Sequence, residues 1–280
     1  MKYFLLSWVL SVGLGKRHYS ETVLVADSEA VDLLVNRLGL SFSQVNLTLD
    51  QLADQDPIWW ATGKFIAYLE QEQPFIHLES DAFLWQRLPD ELTDADLFAQ
   101  NPEYFLAGTS NNYFPEHVEK VISQTAKSWL PQEWVWARAT FTHHQKAVGC
   151  GIFGGQDLPL IHSYSDLALR FINDSNNKKA FQKLDSRLNY MLLIEQYLLG
   201  AYLDYHNFVT KSARLKKISY LFSSLDEALA PNNPYRYTHL IGPAKRNPNL
   251  LRRLEEKVSA LFPQAYRCAI DLAEELETQL

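Results

Sequence analysis

The stretch Phe75–Trp85, FIHLESDAFLW, sets two carboxylates inside an apolar segment. Its first four residues are mostly bulky and apolar, as in a buried strand, and an apolar run resumes directly after the acids. In an extended chain, residues two apart project to the same side, so Glu79 and Asp81 face one volume, roughly 6.6 Å apart at the backbone. An unpaired buried carboxylate is costly, so both must be paired, hydrated or ligated. One cation could bridge them; alternatively, the strand ends at Leu78 and both acids lie in a solvated turn near Arg87.

A second candidate segment lies far downstream, in the sequence YTHLIGPAKR of Tyr237–Arg246. A strand-like run here contains His239. Gly242 follows three residues later, and Lys245 three residues after that. Neutral imidazole is a metal ligand, glycine allows a backbone to approach a diphosphate closely, and lysine supplies a point charge for phosphate oxygens. The alternative is a structural histidine beside a Gly-Pro turn.

The order of local patterns predicts an α/β fold. The predicted strands are Tyr3–Val12, Thr22–Ala26, Phe75–Glu79, Trp134–Thr142 and Tyr237–Ile241. The predicted helices are Glu29–Leu38 ending at Gly39, Trp59–Gln71, Arg187–Asp204, and Asn249–Phe262 stopped by Pro263. This interleaving favours a mainly parallel central sheet with helices on both faces, where ligands collect at the carboxyl ends of strands. No repeat or linker interrupts residues 1–280, so we expect a single domain.

Composition narrows the classes of partner and compartment. The formal net charge of -7 offers no basic field for a phosphate backbone, so we expect no nucleic-acid partner. Cys150 and Cys268 are the two cysteines, too few for a disulfide framework or a cysteine zinc site. The apolar N-terminus is too short to span a bilayer, so we expect no transmembrane segment. We interpret it as a first strand of a cytoplasmic protein; the alternative is a signal peptide whose first thirteen or so residues are cleaved.

The two segments together resemble the nucleotide-sugar glycosyltransferases with the GT-A fold. Glu79-x-Asp81 resembles their Asp-x-Asp metal motif, and His239-x-x-Gly242-x-x-Lys245 resembles the C-terminal segment of the glycogenin-like and lipopolysaccharide-galactosyltransferase-like members. The chain also looks like an uncharacterised bacterial family of glycosyltransferase-like proteins. The resemblance implies that Glu79, Asp81 and His239 bind a divalent cation, Mn²⁺ or Mg²⁺, and that Gly242 and Lys245 contact the donor diphosphate.

The same resemblance extends to residues in the first and middle thirds of the chain. Lys64 would fill the place of a basic donor-binding residue, and Gly154 and Gly155 would shape the sugar pocket. Glu195 and Gln196 interrupt an apolar helix, so they are either structurally paired or functional; the resemblance places such a pair near the donor sugar or acceptor and implies a catalytic role. Two departures matter: Glu79 replaces the usual first aspartate, and Gly149 replaces an asparagine of the "Asn-x-Gly" strand.

The expected function is therefore that of a metal-dependent hexosyltransferase-like enzyme. It would move a sugar from a nucleotide-diphosphate donor, with a uridine diphosphate sugar favoured, to a hydroxyl of a saccharide, lipid-linked or protein acceptor. The glycogenin-like resemblance implies retention of the anomeric configuration. The alternative, motivated by the substituted Glu79 and Gly149, is a catalytically inactive protein of the same fold that acts as a glycan- or protein-binding module.

Overall fold

The computed structural model describes residues 1–106, 108–109, 112–186, 188–210 and 214–278. Its α-helices are α1 (Lys2–His18), α2 (Ser28–Val31), α3 (Thr62–Leu69), α4 (Asp90–Thr93), α5 (Pro115–Ser123), α6 (Gln132–Thr140), α7 (Leu158–Asn173), α8 (Ser175–Phe181), α9 (Leu198–Phe208), α10 (Leu225–Leu229), α11 (Pro248–Leu261) and α12 (Pro263–Thr278). Its strands are β1 (Val23–Val25), β2 (Gln44–Asn46), β3 (Phe75–Leu78), β4 (Ala82–Leu84), β5 (Leu97–Leu106), β6 (His144–Gly155), β7 (Ile218–Tyr220) and β8 (Tyr237–His239). Tighter or wider helical turns occur at Asp32–Arg37, Thr48–Leu52, Pro57–Trp59, Leu193–Tyr197 and Gly242–Arg246.

The chain is a mixed α/β protein that packs as two compact units, each built from separate stretches of sequence. Unit 1 comprises Met1–Ala53, His77–Pro89 and Asp226–Leu280, and unit 2 comprises Asp54–Ile76 and Asp90–Leu225. Each unit has its own apolar core. The α/β class is confirmed, whereas the single domain over residues 1–280 stays a prediction.

The N-terminal segment of unit 1 is helix α1, so the strand predicted at Tyr3–Val12 is wrong. The buried side chains include Leu5, Leu6, Val9 and Leu10, whereas Phe4 is about half exposed. This spacing lines one face of a helix and would scatter over both faces of a strand. The basic residues of the last helical turn also suit the negative end of the helix dipole.

Two short strand pairs complete unit 1 beside its helices. Strands β1 and β2 pair in parallel, and β4 pairs with β8 in antiparallel register, with Ala82 opposite His239. The strands predicted at Thr22–Ala26 and Tyr237–Ile241 are confirmed by β1 and β8. The helix predicted at Asn249–Phe262 is confirmed by α11, but Pro263 begins α12 rather than only ending its predecessor.

The sheet of unit 2 is mixed, which corrects the expectation of a mainly parallel sheet. Its strand order is β3-β6-β5-β7; β5 pairs antiparallel with β6 over most of its length and parallel with β7. The two long strands β5 and β6 were not predicted. The strand predicted at Trp134–Thr142 is wrong, because this region is helix α6: Trp134 and Ala137 are buried three residues apart while Val135 is exposed.

The remaining helix predictions are confirmed with altered boundaries. Residues Glu29–Leu38 form α2 and a π-helical turn, followed by Gly39 at a φ of 76°. Trp59–Gln71 contains α3, and most of Arg187–Asp204 is covered by the π-helical turn Leu193–Tyr197 and α9. The first residue of that prediction, Arg187, lies outside the described residues. Within the described ranges, no helix combines the length and apolar character needed to cross a membrane.

We expect the helical nature of the N-terminal segment to be visible in the free energy of unfolding. Leu6→Ala should lower it by about 2–5 kcal/mol, because a fully buried side chain is removed from the core. Phe4→Ala, the matched control two residues away, should lower it by less than about 1 kcal/mol, because Phe4 is half exposed. Denaturant titrations of both variants measure this difference. A strand would place both side chains on one face, so equal losses would contradict the helix.

Candidate functional site

Asp81 is held at the edge of the β4–β8 strand pair of unit 1. Its backbone carbonyl accepts a hydrogen bond from the Leu240 amide at 3.0 Å, and the Trp85 amide donates to the Arg236 carbonyl at 3.1 Å at the other end of the pair. The Trp85 indole N–H also donates to the Thr238 hydroxyl at 3.1 Å. The two segments that carry the predicted metal ligands are therefore neighbours in the fold.

The Asp81 carboxylate lies between two of the other predicted site residues. His239 Nε2 lies 3.3 Å from its Oδ1, and the Lys245 ammonium lies 2.5 Å from its Oδ2. The Asp81 and His239 side chains are each 13% exposed, while that of Lys245 is 55% exposed. Burial works to raise the pKa of Asp81, but the hydrogen bonds and positive charges of His239 and Lys245 outweigh it and hold the pKa below the ordinary value.

Glu79 and Asp81 both lie near the buried phenol of Tyr237. Burial raises the pKa of Tyr237 well above its ordinary value, and the negative charges of Glu79 and Asp81 raise it further. The Glu79 backbone carbonyl accepts from the Ser11 hydroxyl at 3.2 Å and from the Ala82 amide at 3.0 Å, which fixes the turn between β3 and β4.

The predicted ligands fit a divalent cation in part. Asp81 Oδ1 is buried, and His239 Nε2 lies 3.3 Å from it, so one carboxylate oxygen and one imidazole nitrogen converge. In the described part of the chain, no group of three His, Cys, Asp or Glu side chains is arranged to hold a metal ion, so Glu79 does not complete the set. A pair of protein ligands suits an ion that takes its remaining ligands from substrate phosphates, as Mg²⁺ commonly does.

Gly242 opens the turn that carries Lys245 to Asp81. Its φ of 52° is in the left-handed region that favours glycine, and Pro243 follows it at the start of the helical turn Gly242–Arg246. A Cβ at position 242 would meet nothing within 4 Å, so the side of this glycine is open. The turn therefore combines an open backbone face with an exposed lysine.

A second charged centre lies in unit 2, where Lys64 of α3 meets Glu195. The Lys64 ammonium lies 2.6 Å from Glu195 Oε1, and their side chains are 11% and 3% exposed. The same ammonium lies 4.8 Å from the ring centroid of Trp60, whose indole N–H donates to the Asn189 side chain at 3.2 Å. The structure therefore brings together two residues that the resemblance assigned to donor binding and catalysis.

Glu195 and Gln196 lie in the π-helical turn Leu193–Tyr197. A π-helical turn displaces backbone carbonyls from the regular ladder, and the Tyr164 hydroxyl lies 3.0 Å from the Ile194 carbonyl oxygen and 2.6 Å from that of Glu195. Tyr164 is itself buried. Turns of this kind occur often at functional sites. The hydroxyl of Tyr164, on α7, holds this one through its two backbone carbonyl contacts.

Gln196 belongs to a partly buried polar network that the sequence did not predict. The Tyr113 hydroxyl lies 2.5 Å from Gln196 Oε1 and 2.9 Å from Glu103 Oε2. Burial raises the pKa of Glu103, although hydrogen bonds from Tyr113 and Asn101 oppose the rise. Glu103 and Asn101 lie on β5, next to an irregularity in the β5–β6 register. The β5 signal was obscured by the Asn-Pro pair inside it, since proline is typical of strand edges and turns.

The glycines of β6 allow close backbone approaches within unit 2. A Cβ on Gly154 would lie 2.0 Å from the Phe75 carbonyl oxygen, and one on Gly155 would lie 2.2 Å from the Asp96 carbonyl oxygen. Both have a structural role in addition to any role in donor binding. Gly149 pairs with Asn101 across the ladder, and a Cβ there would meet the Asn101 amide at 3.0 Å. An asparagine side chain from the neighbouring strand thus fills the space beside Gly149.

These features define an α/β protein with one acid–imidazole–lysine centre in unit 1 and one buried lysine–glutamate centre in unit 2. Residues 1–272 match a family of unknown function, DUF6734, and the chain belongs to that family. No curated protein and no solved structure matches the chain.

The lowered pKa of Asp81 predicts a pH dependence of stability. A carboxylate whose pKa is lower in the folded than in the unfolded protein stabilises the fold above its ordinary pKa of 3.8, and this contribution is lost as the pH falls through the folded value. The unfolding free energy of Asp81→Asn should therefore fall furthest below wild type near neutral pH, and the difference should shrink below about pH 4. Denaturant titrations across this range test it. The exposed Asp271→Asn is the control, and a difference that grows in acid would contradict the assignment.

The ion pair of Lys64 and Glu195 predicts a large loss of stability when one partner is removed. Lys64→Met should lower the unfolding free energy by about 3–5 kcal/mol, because Glu195 then loses its cation in a buried place. The double variant Lys64→Met/Glu195→Gln should recover part of this loss. Arg170→Met breaks an exposed pair with Asp166 and should cost at most about 1 kcal/mol. A loss in Lys64→Met no greater than in this control would show that the pair is not a buried constraint.

Proposed function

We propose that the chain is a glycosyltransferase of the GT-A type that binds a nucleotide-diphosphate sugar, with a uridine diphosphate sugar favoured. The observation that carries the proposal is the meeting of Asp81, His239 and Lys245 in unit 1, from two segments far apart in sequence. The same residue types, in the same order along the chain, form the metal and diphosphate segments of the enzymes that the sequence resembles. The Asp81 side chain is only 13% exposed, whereas the carboxylate of a chance ion pair is normally exposed at the surface.

The proposed cofactor is Mn²⁺ or Mg²⁺. Asp81 and His239 would hold it, with Glu79 beside them, and the bound ion would supply neutralisation of the charge that develops on the departing diphosphate. His239 lies 3.3 Å from the buried oxygen of Asp81, so both ligands are already oriented by the β4–β8 pair. The protein therefore contributes preorganisation, which reduces the entropy lost when the ligands are assembled.

Lys245 is the residue proposed to contact the phosphate oxygens. Its side chain is more than half exposed, and its ammonium lies 2.5 Å from Asp81 Oδ2. A diphosphate carries more negative charge than one carboxylate, so it would compete for this ammonium. The open side of Gly242 would let the phosphates approach the backbone of the same turn. Positive charge at this point lowers the barrier to breaking the sugar–phosphate bond while an acceptor hydroxyl approaches.

Five further residues are proposed to take part, on the strength of the resemblance. Lys64, Gly154 and Gly155 are proposed donor-binding residues, and Glu195 and Gln196 are the proposed catalytic pair. Their support is the 2.6 Å contact between Lys64 and Glu195, which fixes the carboxylate, and the π-helical turn that carries it. The proposed acceptor is a hydroxyl of a saccharide, a lipid-linked sugar or a protein, and the proposed outcome is retention of configuration.

A second candidate function is a glycan- or protein-binding module of the same type without catalysis. It is favoured by one specific observation: the proposed catalytic Glu195 and donor-binding Lys64 are already bound to each other and almost completely buried. A glutamate locked in such a pair serves the structure of unit 2 without further chemistry. The two candidates differ in whether the protein cleaves a sugar nucleotide.

Thermal unfolding with Mn²⁺ and uridine diphosphate tests the proposed site. We expect the two together to raise the melting temperature by more than the sum of their separate effects, because each completes the binding site of the other. Asp81→Asn should remove this joint shift, and the exposed Asp271→Asn should retain it. Equally tight binding of uridine diphosphate in the presence of a chelator would contradict the metal-dependent site.

Incubation with a panel of sugar nucleotides separates the enzyme from the binding module. Donor hydrolysis that Asp81→Asn abolishes supports the enzyme. A joint melting shift with no hydrolysis in any member of the panel would favour the module, and absence of both would overturn the proposal for this family member.

A further inference from the structure

Unit 2 contains a cavity of about 460 Å³ whose lining includes none of the proposed glycosyltransferase residues. Helices α6, α7 and α9 contribute most of its lining, which includes Glu133, His162, Asp166, Arg170, Tyr202 and His206. A volume of this order suits a small organic molecule. Neither the resemblance nor the family match assigns a role to any of these side chains.

Glu133 is the unusual member of this lining. It is only 5% exposed, and in the described part of the chain its Oε2 is buried without a hydrogen-bond partner. It lies in the first turn of α6, directly after Pro131 and Gln132, where the helix dipole favours a negative charge. The dipole offsets part of the cost of burial, but it supplies no hydrogen bond to Oε2. This carboxylate oxygen is therefore open to a donor that the described residues do not supply.

The other charged groups of the cavity do not supply that partner. The Arg170 guanidinium binds the Asp166 carboxylate at 2.8 Å, so these two charges offset each other. Burial lowers the pKa of His206, and the charge of Glu133 opposes this only in part, so the imidazole is neutral at pH 7. The formal charge of the lining is consequently that of one carboxylate, which belongs to Glu133.

An aromatic wall stands next to this carboxylate. The rings of Tyr202 and His206 lie 4.3 Å apart between centroids on α9, which packs against α6. His162 Nε2 lies 3.1 Å from the Gln71 carbonyl oxygen and is thereby oriented along the rim. A carboxylate beside aromatic faces recognises a cation rather than a neutral polyol, since both elements attract positive charge.

We propose that this cavity binds a ligand through a primary ammonium group, with the Glu133 carboxylate as its counter-ion and Tyr202 and His206 as its walls. An ammonium offers three donors in a compact group, which suits a single buried carboxylate oxygen. The ammonium can belong to a free aliphatic amine or to an amino sugar. This inference is independent of the proposed glycosyltransferase site, which uses none of these residues.

Two matched pairs of probes test the inference on the full chain. Putrescine and 1,4-butanediol share a carbon skeleton and differ in ammonium against hydroxyl, and glucosamine and glucose differ in the same way. Ligand-observed NMR and thermal unfolding should detect the ammonium member of at least one pair and not its hydroxyl counterpart. The pair that discriminates identifies the source, an aliphatic amine or an amino sugar.

Glu133→Gln provides the decisive variant, because it keeps the shape of the side chain and removes its charge. It should weaken binding of the ammonium probe by on the order of tenfold or more and raise the melting temperature of the ligand-free protein. Asp166→Asn, an exposed lining residue, should retain binding. Binding that survives in Glu133→Gln, equal binding of the hydroxyl probes, or no binding of either amine would each overturn the proposal. A variant that melts lower than wild type would also overturn it, since Glu133 would then have a structural partner.

Discussion

The desolvation of one carboxylate governs the organisation of unit 1. Asp81 is buried, and a buried carboxylate must be matched by donors and positive charge. Its backbone is bound by Leu240 and its side chain by His239 and Lys245, so the segment that follows β3 is tied to the C-terminal part of the chain by both main-chain and side-chain contacts. The register of β4 and β8 and the left-handed backbone of Gly242 are the local conditions under which these contacts form. These contacts fix the orientation of all three side chains.

Unit 2 also contains a buried carboxylate, that of Glu195, but a single lysine neutralises it. Lys64 and Glu195 neutralise each other inside the unit, and the turn that carries Glu195 departs from a regular α-helix. A buried ion pair seldom stabilises a protein more than a well-packed apolar pair would, so stability alone does not account for it. The neighbouring network adds the buried Tyr113 and the partly buried side chains of Gln196 and Glu103. Polar interiors of this density are typical of sites that bind or react, which is why this centre carries the second half of the functional proposal.

The sequence predicted the site segments better than it predicted the sheet. The apolar run around Phe75 and the strand at Tyr237 were recognisable because polar residues follow the first and a Gly-Pro pair follows the second. The long strands β5 and β6 were missed, because an Asn-Pro pair interrupts one and glycines punctuate the other. At the N-terminus an apolar run of strand length proved to be a helix, since its buried positions Leu5, Leu6, Val9 and Leu10 repeat at helical spacing. Pairings such as Lys64 with Glu195 depend on tertiary packing, and no local pattern encodes them.

We propose that Asp81 and His239 bind a divalent cation that a donor diphosphate shares. Pulsed electron paramagnetic resonance of Mn²⁺ in the presence of the protein and uridine diphosphate tests it most directly. We expect a nitrogen coupling from an imidazole together with phosphorus couplings from the nucleotide, and loss of the nitrogen coupling in His239→Gln. Phosphorus couplings without nitrogen in the wild-type protein, or the spectrum of hydrated Mn²⁺ alone, would contradict it.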